Sequence, residues 1–234
     1  MRWPRIPRRR RDPNDAEAEA DPARQRARMV AEQLEARGIG DSELLGAFLT
    51  VERHHFVEGP DPYGDHALPV GSGQTISQPY IVARMTQVAR PPDGWAGANV
   101  LEVGTGSGYQ AAILAQLGAK VTSVERHEEL AAGARERLRA AGYPQVDVEV
   151  GDGTQGWPAR APYRSILVTA GGPSIPQPLL EQLDSSGGRL VMPVGSREHQ
   201  FLTLVERDGE DVRSTELDPV VFVPLIGRYG VGEH

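Results

Sequence analysis

The 234-residue sequence contains no cysteine, so it can form neither a disulfide bond nor a thiolate zinc site. No apolar run approaches the roughly 18 residues that a membrane span requires. The first five residues, MRWPR, lead into charge rather than into the apolar region of a secretory signal. These absences predict a soluble, cytoplasmic protein that binds no metal and does not associate with membranes.

Basic residues are scarce over most of the chain. Six of the 25 basic residues are arginines within the first eleven positions. The rest of the chain carries 19 basic and 32 acidic residues, which is a net charge of −13. An acidic surface repels nucleic acid phosphates, so we expect no nucleic acid partner.

Residues 1–21 differ in composition from the rest. They combine a basic cluster, Arg8–Arg11, with the acidic, alanine-rich stretch Asp12–Asp21, and they show no apolar periodicity. Burial there cannot offset the entropy of ordering, which predicts a disordered charged tail. An arm that binds nucleic acid or a membrane surface is the alternative. We expect residues 22–234 to form a single domain, with 22–90 as an N-terminal helical, substrate-side segment, and the protein to be a monomer.

Helix signals dominate the first part of this domain. Asp21-Pro22 combines an N-cap with a first-turn proline, and apolar residues then recur at positions 27, 30, 31 and 34. The predicted elements up to residue 88 are a helix ending near Gly38, a second helix capped by Asp41 or Ser42 with Leu44, Leu45 and Phe48 facing inward, an ordered winding segment from Glu58 to Pro79, and a helix from Pro79 to Val88.

Strands and helices alternate from residue 99 onward, which predicts an α/β fold with a doubly wound, mostly parallel sheet. Asp208-Gly209 is a hairpin-type turn and indicates an antiparallel strand at one edge of the sheet. The predicted strands are 99–103, 120–125, 146–150, 164–168, 188–193, 200–207 and, closing the sheet, 220–224; the predicted helices are 109–117, 128–141 and 178–183.

A glycine loop, Gly104-Thr105-Gly106-Ser107-Gly108, lies where the first of these strands gives way to a helix. Glycines there let the backbone approach a ligand closely. The spacing is not the Gly-x-Gly-x-x-Gly of dinucleotide dehydrogenases, and the loop lacks the Gly-Lys-Ser/Thr ending of a P-loop. No cation lies in the loop and Glu102 precedes it, so a cationic ligand is favoured over a pyrophosphate. S-adenosylmethionine carries both an ammonium and a sulfonium.

Two further acidic residues lie at strand ends. Glu125 ends the second strand and can accept hydrogen bonds from ribose hydroxyls, and Asp152, within Gly151-Asp152-Gly153, can accept one from an adenine amino group. Each has a plainer interpretation: a helix-capping charge for Glu125, a turn residue for Asp152, and a simple tight turn for the glycine loop. All three follow successive strands, where open α/β sheets bind ligands, and together they predict a nucleoside-like cofactor.

Two motifs carry a family resemblance. Residues 73–79, GQTISQP, followed by 101–109, LEVGTGSGY, resemble the protein-L-isoaspartate O-methyltransferases, and the similarity extends over about residues 24–230. The resemblance implies the class I S-adenosylmethionine-dependent methyltransferase fold, with a Rossmann-like core at 91–234, an N-terminal helical extension and an antiparallel edge strand. The cofactor-binding residues that we predict are Ile76, Glu102, Gly104, Thr105, Gly106, Ser107, Gly108, Glu125, Arg126, Gly151, Asp152 and Gly153.

The family implied by this resemblance transfers a methyl group to the free α-carboxylate of an isoaspartyl residue in a damaged protein or peptide; the ester collapses to a succinimide that can reopen to aspartate. The serine matching Ser77 lies beside that carboxylate in the family, so Ser77 is our candidate catalytic residue. A carboxylate is already ionised at neutral pH, so positioning matters more than a general base. A turn-stabilising hydroxyl is the plainer role. The predicted substrate-binding residues, including a segment that could add the peptide as a strand, are Thr75, Gln78, Pro79, Val221, Phe222 and Val223.

The sequence departs from the family pattern at a few positions. Arg164-Ser165 stands where the family usually has an aspartate, Glu52 replaces a proline, and Gly171-Gly172 replaces alanines. His54 and His55 are interpreted as packing residues. Two other functions stay open: methylation of a normal aspartate in a ribosomal precursor peptide, whose enzymes usually carry an added C-terminal region, and a catalytically inactive cofactor-binding or adaptor protein.

Overall fold

The computed structural model describes residues 21–232, so the predicted tail at 1–21 lies almost wholly outside the described residues. The strands fall within a residue or two of most predicted bounds. They are β1 (Leu68–Gly71), β2 (Gln74–Ile76), β3 (Asn99–Val103), β4 (Lys120–Glu125), β5 (Asp147–Val150), β6 (Ser165–Val168), β7 (Ser186–Gly195), β8 (Gln200–Asp208) and β9 (Asp211–Val220).

The helices also follow the predicted periodicity. They are α1 (Pro22–Met29), which continues through a π-helical stretch (Val30–Leu34) and a 3-10 turn (Glu35–Arg37), α2 (Ser42–Thr50), α3 (Pro79–Ala89), α4 (Tyr109–Gln116), α5 (Glu128–Ala140) and α6 (Gln177–Glu181), with further 3-10 turns at Arg53–His55, Gly153–Gln155 and Pro158–Arg160. Among the described helices, none combines the length and the apolar composition that crossing a membrane would need.

The predicted helix ends are confirmed by their capping contacts. The Asp21 carboxylate accepts a hydrogen bond from the Ala23 amide at 3.0 Å, and the Asp41 carboxylate caps α2. Gly38 ends the first helical segment at φ +89°, a conformation that favours glycine. Leu44 and Phe48 are buried as predicted, which fixes α2 against the core.

A seven-stranded sheet has the order β5-β4-β3-β6-β7-β8-β9. The strands from β5 to β7 pair in parallel, and β8 and β9 add two antiparallel strands at one edge. The doubly wound, mostly parallel sheet with an antiparallel edge is therefore confirmed. Val100 and Leu101, adjacent on β3, pack into two different hydrophobic clusters, because successive residues of a strand point to opposite faces. Both faces of the sheet are covered.

The prediction that residues 220–224 form the closing strand is wrong. The last strand is β9, which begins directly after the Gly209-Glu210 turn and ends at Val220. Most of β9 is exposed at the sheet edge and carries polar residues, so it lacks the apolar pattern that identifies a buried strand. Residues 221–223 lie outside the sheet, and a single bridge joins Pro224 to Gly171.

The winding segment at 58–79 contains a short hairpin that its composition did not reveal. β1 and β2 pair antiparallel, and the connecting residues Ser72 and Gly73 have φ values of +49° and +69°. The hairpin leads directly into residues 77–78 and α3. The motif at residues 73–79 therefore spans the end of this hairpin and the start of α3 and is not a free loop.

Arg164 directly precedes β6, at the amino end of that strand. From there β6 runs parallel to β3, toward the edge of the sheet where the glycine loop lies. Its guanidinium donates to the Asp93 carboxylate at 2.6 Å and to the Ser186 carbonyl, and lies 3.7 Å from the Asp184 carboxylate. The departure from the family pattern thus provides a tie between two loops on the side of the sheet opposite the glycine loop.

We expect Arg164→Ala to lower the free energy of unfolding by about 1–2 kcal/mol, since Asp93 is largely exposed and screened by solvent. Turnover should change less than twofold because the contacts lie at the far edge of the sheet. Urea unfolding together with a methylation assay measures both quantities. A large loss of turnover without a loss of stability would assign Arg164 to the active site instead.

Candidate functional site

The predicted ligand residues converge at the carboxyl ends of the parallel strands. The glycine loop follows β3, Glu125 ends β4, Gly151-Asp152-Gly153 follows β5, and Thr169 follows β6. A cavity opens between them, which we call the nucleoside cavity. Its walls are formed by Gln74, Thr75, Val103, Gly104, Gly106, Val124, Glu125, Arg126, His127, Gly153, Thr169, Ala170, Val223, Pro224, Leu225 and Ile226.

The glycines of the loop have different reasons to be glycine. Gly104 and Gly108 adopt φ values of +96° and +93°, which other residues rarely adopt. A Cβ atom on Gly104 would also lie 2.3 Å from the Thr169 hydroxyl oxygen. Gly106 also has a positive φ, +52°, but a Cβ atom on it would meet nothing within 4 Å, so this glycine borders open space. The loop therefore has a backbone that favours glycine and an unobstructed surface at its centre.

The Glu125 carboxylate is buried and held from two sides. One oxygen accepts a hydrogen bond from the Gly106 amide at 3.0 Å, and the other accepts one from the His127 amide at 3.0 Å. Each carboxylate oxygen has a second lone pair, and the side chain borders the nucleoside cavity. Glu125 thus fixes the glycine loop and still offers acceptors to a ligand.

Glu102 is fully buried near the end of β3. Its Oε2 accepts a hydrogen bond from the Ser123 hydroxyl, and the Ser123 and Thr105 hydroxyls lie 2.5 Å apart. Its Oε1 has no hydrogen-bond partner among the described residues. Burial raises the pKa of Glu102 to about 8; the Ser123 hydrogen bond opposes this shift, and the charge of Glu125 adds to it. An unpartnered, buried carboxyl oxygen of this kind suits a cationic ligand.

Glu102 borders a second, smaller cavity at the glycine loop, which we call the inner cavity. Its other walls are formed by Thr75, Ile76, Ser77, Val82, Met85, Gly104, Thr105, Gly106, Ser107, Tyr109, Gln110 and Thr169. Ser107 is fixed there, because its carbonyl accepts a hydrogen bond from Arg137 Nε at 3.0 Å. The two cavities share Thr75, Gly104, Gly106 and Thr169, so they lie next to each other at the loop.

The residues after β5 differ in their contacts: Gly153 borders the nucleoside cavity and Asp152 does not. Gly153 borders the nucleoside cavity, and a Cβ atom on it would lie 2.4 Å from Val103 Cγ1. The Asp152 side chain is directed elsewhere: Oδ1 accepts from the Thr154 amide and hydroxyl, and Oδ2 accepts from the Arg228 amide at 2.8 Å. Burial raises the pKa of Asp152, but these hydrogen bonds outweigh it and lower the pKa below its ordinary value. Gly151 packs against Trp157.

An open groove of about 700 Å³ lies beside the inner cavity. Ser77, which is half-buried between β2 and α3, borders both, as do Thr75 and Thr169. The predicted substrate residues Gln78, Val221, Phe222 and Val223 also border the groove. Pro79 is buried at the first position of α3 and shapes the segment from within. The structure therefore brings the predicted substrate residues to one surface that meets the cofactor residues at Ser77.

Sequence reasoning missed three residues of this site. Thr169 donates to the Gly104 carbonyl at 2.8 Å, and its position directly after a predicted strand was a usable signal. The Gln200 side-chain amide binds both backbone groups of Phe222, at 2.8 and 3.4 Å. Arg53 donates to the Ser77 carbonyl. No sequence pattern marks Gln200 or Arg53, because their partners are backbone atoms distant along the chain.

Among the described residues, one group has the geometry of a metal site. Potential ligand atoms of Glu52, His54 and His55 lie within 4.8 Å of one another. Glu52 already pairs with Arg26 at 2.9 Å, and His54 Nδ1 lies 2.7 Å from the Tyr63 hydroxyl. The group is therefore engaged in protein contacts: half-buried His54 lies against the Tyr63 ring, whereas His55 is exposed.

Most of the chain is similar to proteins of one known family. Residues 24–230 match the model of the protein-L-isoaspartate(D-aspartate) O-methyltransferase (PCMT) family. A protein-L-isoaspartate O-methyltransferase of Methanoculleus marisnigri is 55% identical over 219 residues, covering 91% of this chain and 96% of the relative. Another, of Methanoregula boonei, is 53% identical over 210 residues, covering 88% of this chain and 94% of the relative.

Solved structures agree. A protein-L-isoaspartate O-methyltransferase structure superposes with a TM-score of 0.78 and 26% identity, covering 88% of this chain and 67% of that one. A structure from Plasmodium falciparum, described as a putative protein-L-isoaspartate O-methyltransferase in complex with S-adenosyl-L-homocysteine, has the same fold, with a TM-score of 0.73 at 23% identity over 86% of this chain and 98% of that one. This chain belongs to the protein-L-isoaspartate O-methyltransferase family.

Proposed function

We propose that this protein transfers the methyl group of S-adenosylmethionine to the free α-carboxylate of L-isoaspartyl residues in damaged proteins or peptides, which starts repair through a succinimide. Family membership supports the reaction. The observation that carries the proposal is that Ser77, Thr75 and Thr169 border both the inner cavity and the groove. An acceptor group in the groove can therefore meet, at these side chains, a cofactor lying on the glycine loop.

The residues around the loop fit this cofactor. The unpartnered Glu102 oxygen suits the ammonium of the methionine part, and the fixed Glu125 carboxylate suits the ribose hydroxyls. Open space at Gly106 admits a ligand against the backbone. When bound, S-adenosylmethionine supplies a methyl group activated by a positively charged sulfur. In this proposal Asp152 supports the cavity from outside by holding the turn at Arg228.

The acceptor chemistry requires little of the protein beyond positioning. A free carboxylate with a pKa near 4 is ionised at neutral pH, so no general base has to remove a proton. The Ser77 hydroxyl donates a hydrogen bond to one carboxylate oxygen and leaves the other free to attack the methyl carbon. The methyl–sulfur bond would break in the same step, with its electron pair going to sulfur, so that the products are the methyl ester and S-adenosylhomocysteine. Alignment of the two reacting groups then accounts for most of the rate enhancement.

The peptide that carries the damaged residue would lie along the groove. Residues 221–223 are outside the sheet, and Val221 is 81% exposed. The Gln200 side-chain amide bonds both backbone groups of Phe222, and the Val223 carbonyl accepts a hydrogen bond from the Gly171 amide at 2.8 Å, so the segment is fixed beside the groove. We propose that the peptide adds here as a strand, with Thr75 and Gln78 on the opposite wall.

Glu125→Ala tests the cofactor half of the proposal. We expect the Kd for S-adenosylhomocysteine to rise at least about tenfold, since hydrogen bonds to a charged group contribute about 1.5–3 kcal/mol each. Isothermal titration calorimetry measures the change. Glu129→Ala, an exposed carboxylate on α5, is the matched control and should bind normally. Equal affinities for both variants would remove Glu125 from the cofactor site.

The acceptor is tested with two peptides that differ only in one residue, L-isoaspartate or L-aspartate, incubated with methyl-labelled S-adenosylmethionine. We expect label on the isoaspartyl peptide alone, and a succinimide as the next product. Label on the aspartyl peptide would indicate an enzyme that modifies normal aspartate. Binding of S-adenosylhomocysteine without any transfer would indicate an inactive cofactor-binding protein.

Three expectations about cellular context belong to the same proposal. We propose that the enzyme acts in the cytoplasm, as a monomer and without a nucleic acid partner. The net charge of −13 outside the first eleven residues supports the last point. Size-exclusion chromatography with light scattering tests the oligomeric state, and the other two stay predictions from the sequence.

A further inference from the structure

Arg53 is a fully buried arginine next to the candidate catalytic serine. It lies in the 3-10 turn after α2, and its residue exposure is 0%. Burial lowers the pKa of Arg53 to about 10, so the side chain stays protonated at neutral pH. A buried guanidinium is costly unless its donors are used, so its contacts identify what its charge stabilises.

The contacts of Arg53 are with backbone carbonyls and a ring. Nη2 donates to the Ser77 carbonyl at 2.8 Å, and Nε donates to the Pro62 carbonyl at 2.8 Å. The guanidinium carbon lies 4.9 Å from the centroid of the Tyr109 ring, a cation–π distance. Among the described residues, no carboxylate forms an ion pair with Arg53. Nη1 is buried and has no hydrogen-bond partner in the described part of the chain, so the hydrogen bonds that the guanidinium does make are both to main-chain oxygens.

These contacts join the two halves of the site. Ser77 borders the groove and the inner cavity, whereas Tyr109 is the first residue of α4, directly after Gly108 of the glycine loop. One rigid, planar side chain thus touches both the segment that carries the acceptor-side serine and the helix that follows the cofactor loop. Lysine could not replace it, because a single ammonium lacks the forked geometry that reaches both carbonyls.

We propose that Arg53 is a positioning residue: by fixing the Ser77 carbonyl against the start of α4, it sets the place of the Ser77 hydroxyl relative to the cofactor. This inference rests on the proposed role of Ser77. A displacement of about 1 Å in an aligned transfer can cost up to about a hundredfold in rate, so loss of this contact should affect kcat more than cofactor binding.

The test is a double-mutant cycle with R53K and S77A. We expect R53K to lower kcat for an isoaspartyl peptide by about tenfold while the Kd for S-adenosylhomocysteine stays within about threefold. We expect R53K/S77A to be no slower than S77A alone, because Arg53 acts through Ser77. Arg189→Lys is the matched control. The wild-type Arg189 also donates to a backbone carbonyl, that of Arg90 at 2.9 Å, but it pairs with Ser165 at the edge of the sheet opposite the glycine loop. The turnover of this variant should match that of the wild type.

The outcomes separate this inference from the proposed function. If S77A turns over normally, the proposed role of Ser77 is wrong. If S77A is slow and R53K multiplies that loss by a further tenfold, Arg53 acts independently of Ser77 and the positioning role is overturned. Wild-type turnover in R53K, or equal losses of kcat and cofactor affinity, also overturns it. R53M is the second variant if R53K retains a single bond to Ser77, and it should be at least as slow.

Discussion

Glu102→Gln should make the ligand-free protein more stable and the cofactor complex weaker. Burial raises the pKa of Glu102 from 4.5 to about 8 in the folded protein. Between these values the folded state keeps a proton that the unfolded state has lost. The free energy of unfolding therefore falls as pH rises, by up to about 1.4 kcal/mol per pH unit from this group. Glutamine does not ionise, so the advantage of the variant should grow from pH 5 to 8 and then level off.

The same substitution should raise the Kd for S-adenosylhomocysteine about 10- to 100-fold, since a neutral amide replaces a carboxylate facing an ammonium. In the wild type, cofactor binding near pH 7 should release a proton as Glu102 ionises. Calorimetry in two buffers of different ionisation enthalpy measures this release, and urea unfolding at several pH values measures the stability. Glu129→Gln, exposed on α5, should change neither property. Unaltered cofactor affinity in Glu102→Gln would show that the buried carboxyl faces no cation.

Ser77→Ala should lower turnover about 10- to 100-fold and leave cofactor affinity within about threefold. The hydroxyl is proposed to hold one oxygen of the acceptor carboxylate, and its loss leaves that group free to rotate out of line with the methyl donor. Because no base is required, the pH dependence of turnover should keep the wild-type shape. Steady-state kinetics with an isoaspartyl peptide and calorimetry with S-adenosylhomocysteine measure the two effects.

Ser214→Ala provides the comparison for Ser77→Ala. Ser214 is exposed on β9 and pairs with Val205 well away from the groove, so its loss should leave kcat and KM unchanged. A Ser77→Ala enzyme with wild-type kcat would reduce Ser77 to a turn-stabilising residue, the plainer role considered from the sequence.

Sequence reasoning was strongest where local chemistry sets the structure. The Asp21 and Asp41 caps, the Gly38 stop and the parallel strands around the glycine loop each follow from short-range signals. The edge of the sheet at which the candidate ligand residues meet was also predicted, because parallel strands bring their carboxyl ends together. The β9 strand was misplaced, since an exposed edge strand carries polar residues and lacks the apolar pattern of a buried one.

The contacts in the site between residues far apart along the chain could not be predicted from the sequence. Glu102 was predicted as a cofactor residue, but neither the hydrogen bond that its Oε2 accepts from Ser123, 21 residues away, nor its unpartnered Oε1 could be predicted from the sequence. Arg53 meets Ser77 across 24 residues through a backbone atom, which carries no residue-specific signal. Asp152 was predicted to bind an adenine; its hydrogen bonds to Thr154 and Arg228 could not be predicted from the sequence, and the adenine contact stays a prediction.

Arg164 has a consequence for how this chain can change over time. Its contacts lie at the amino edge of the sheet, while the proposed chemistry lies at the carboxyl edge. Substitutions at the amino edge are then tolerated as long as the total free energy of unfolding stays above the threshold for folding. Arg164, Asp93 and Asp184 contribute to that total, and none of the three borders either cavity or the groove. A substitution at the amino edge is therefore expected to change the free energy of unfolding and to leave the geometry of the carboxyl edge unaltered.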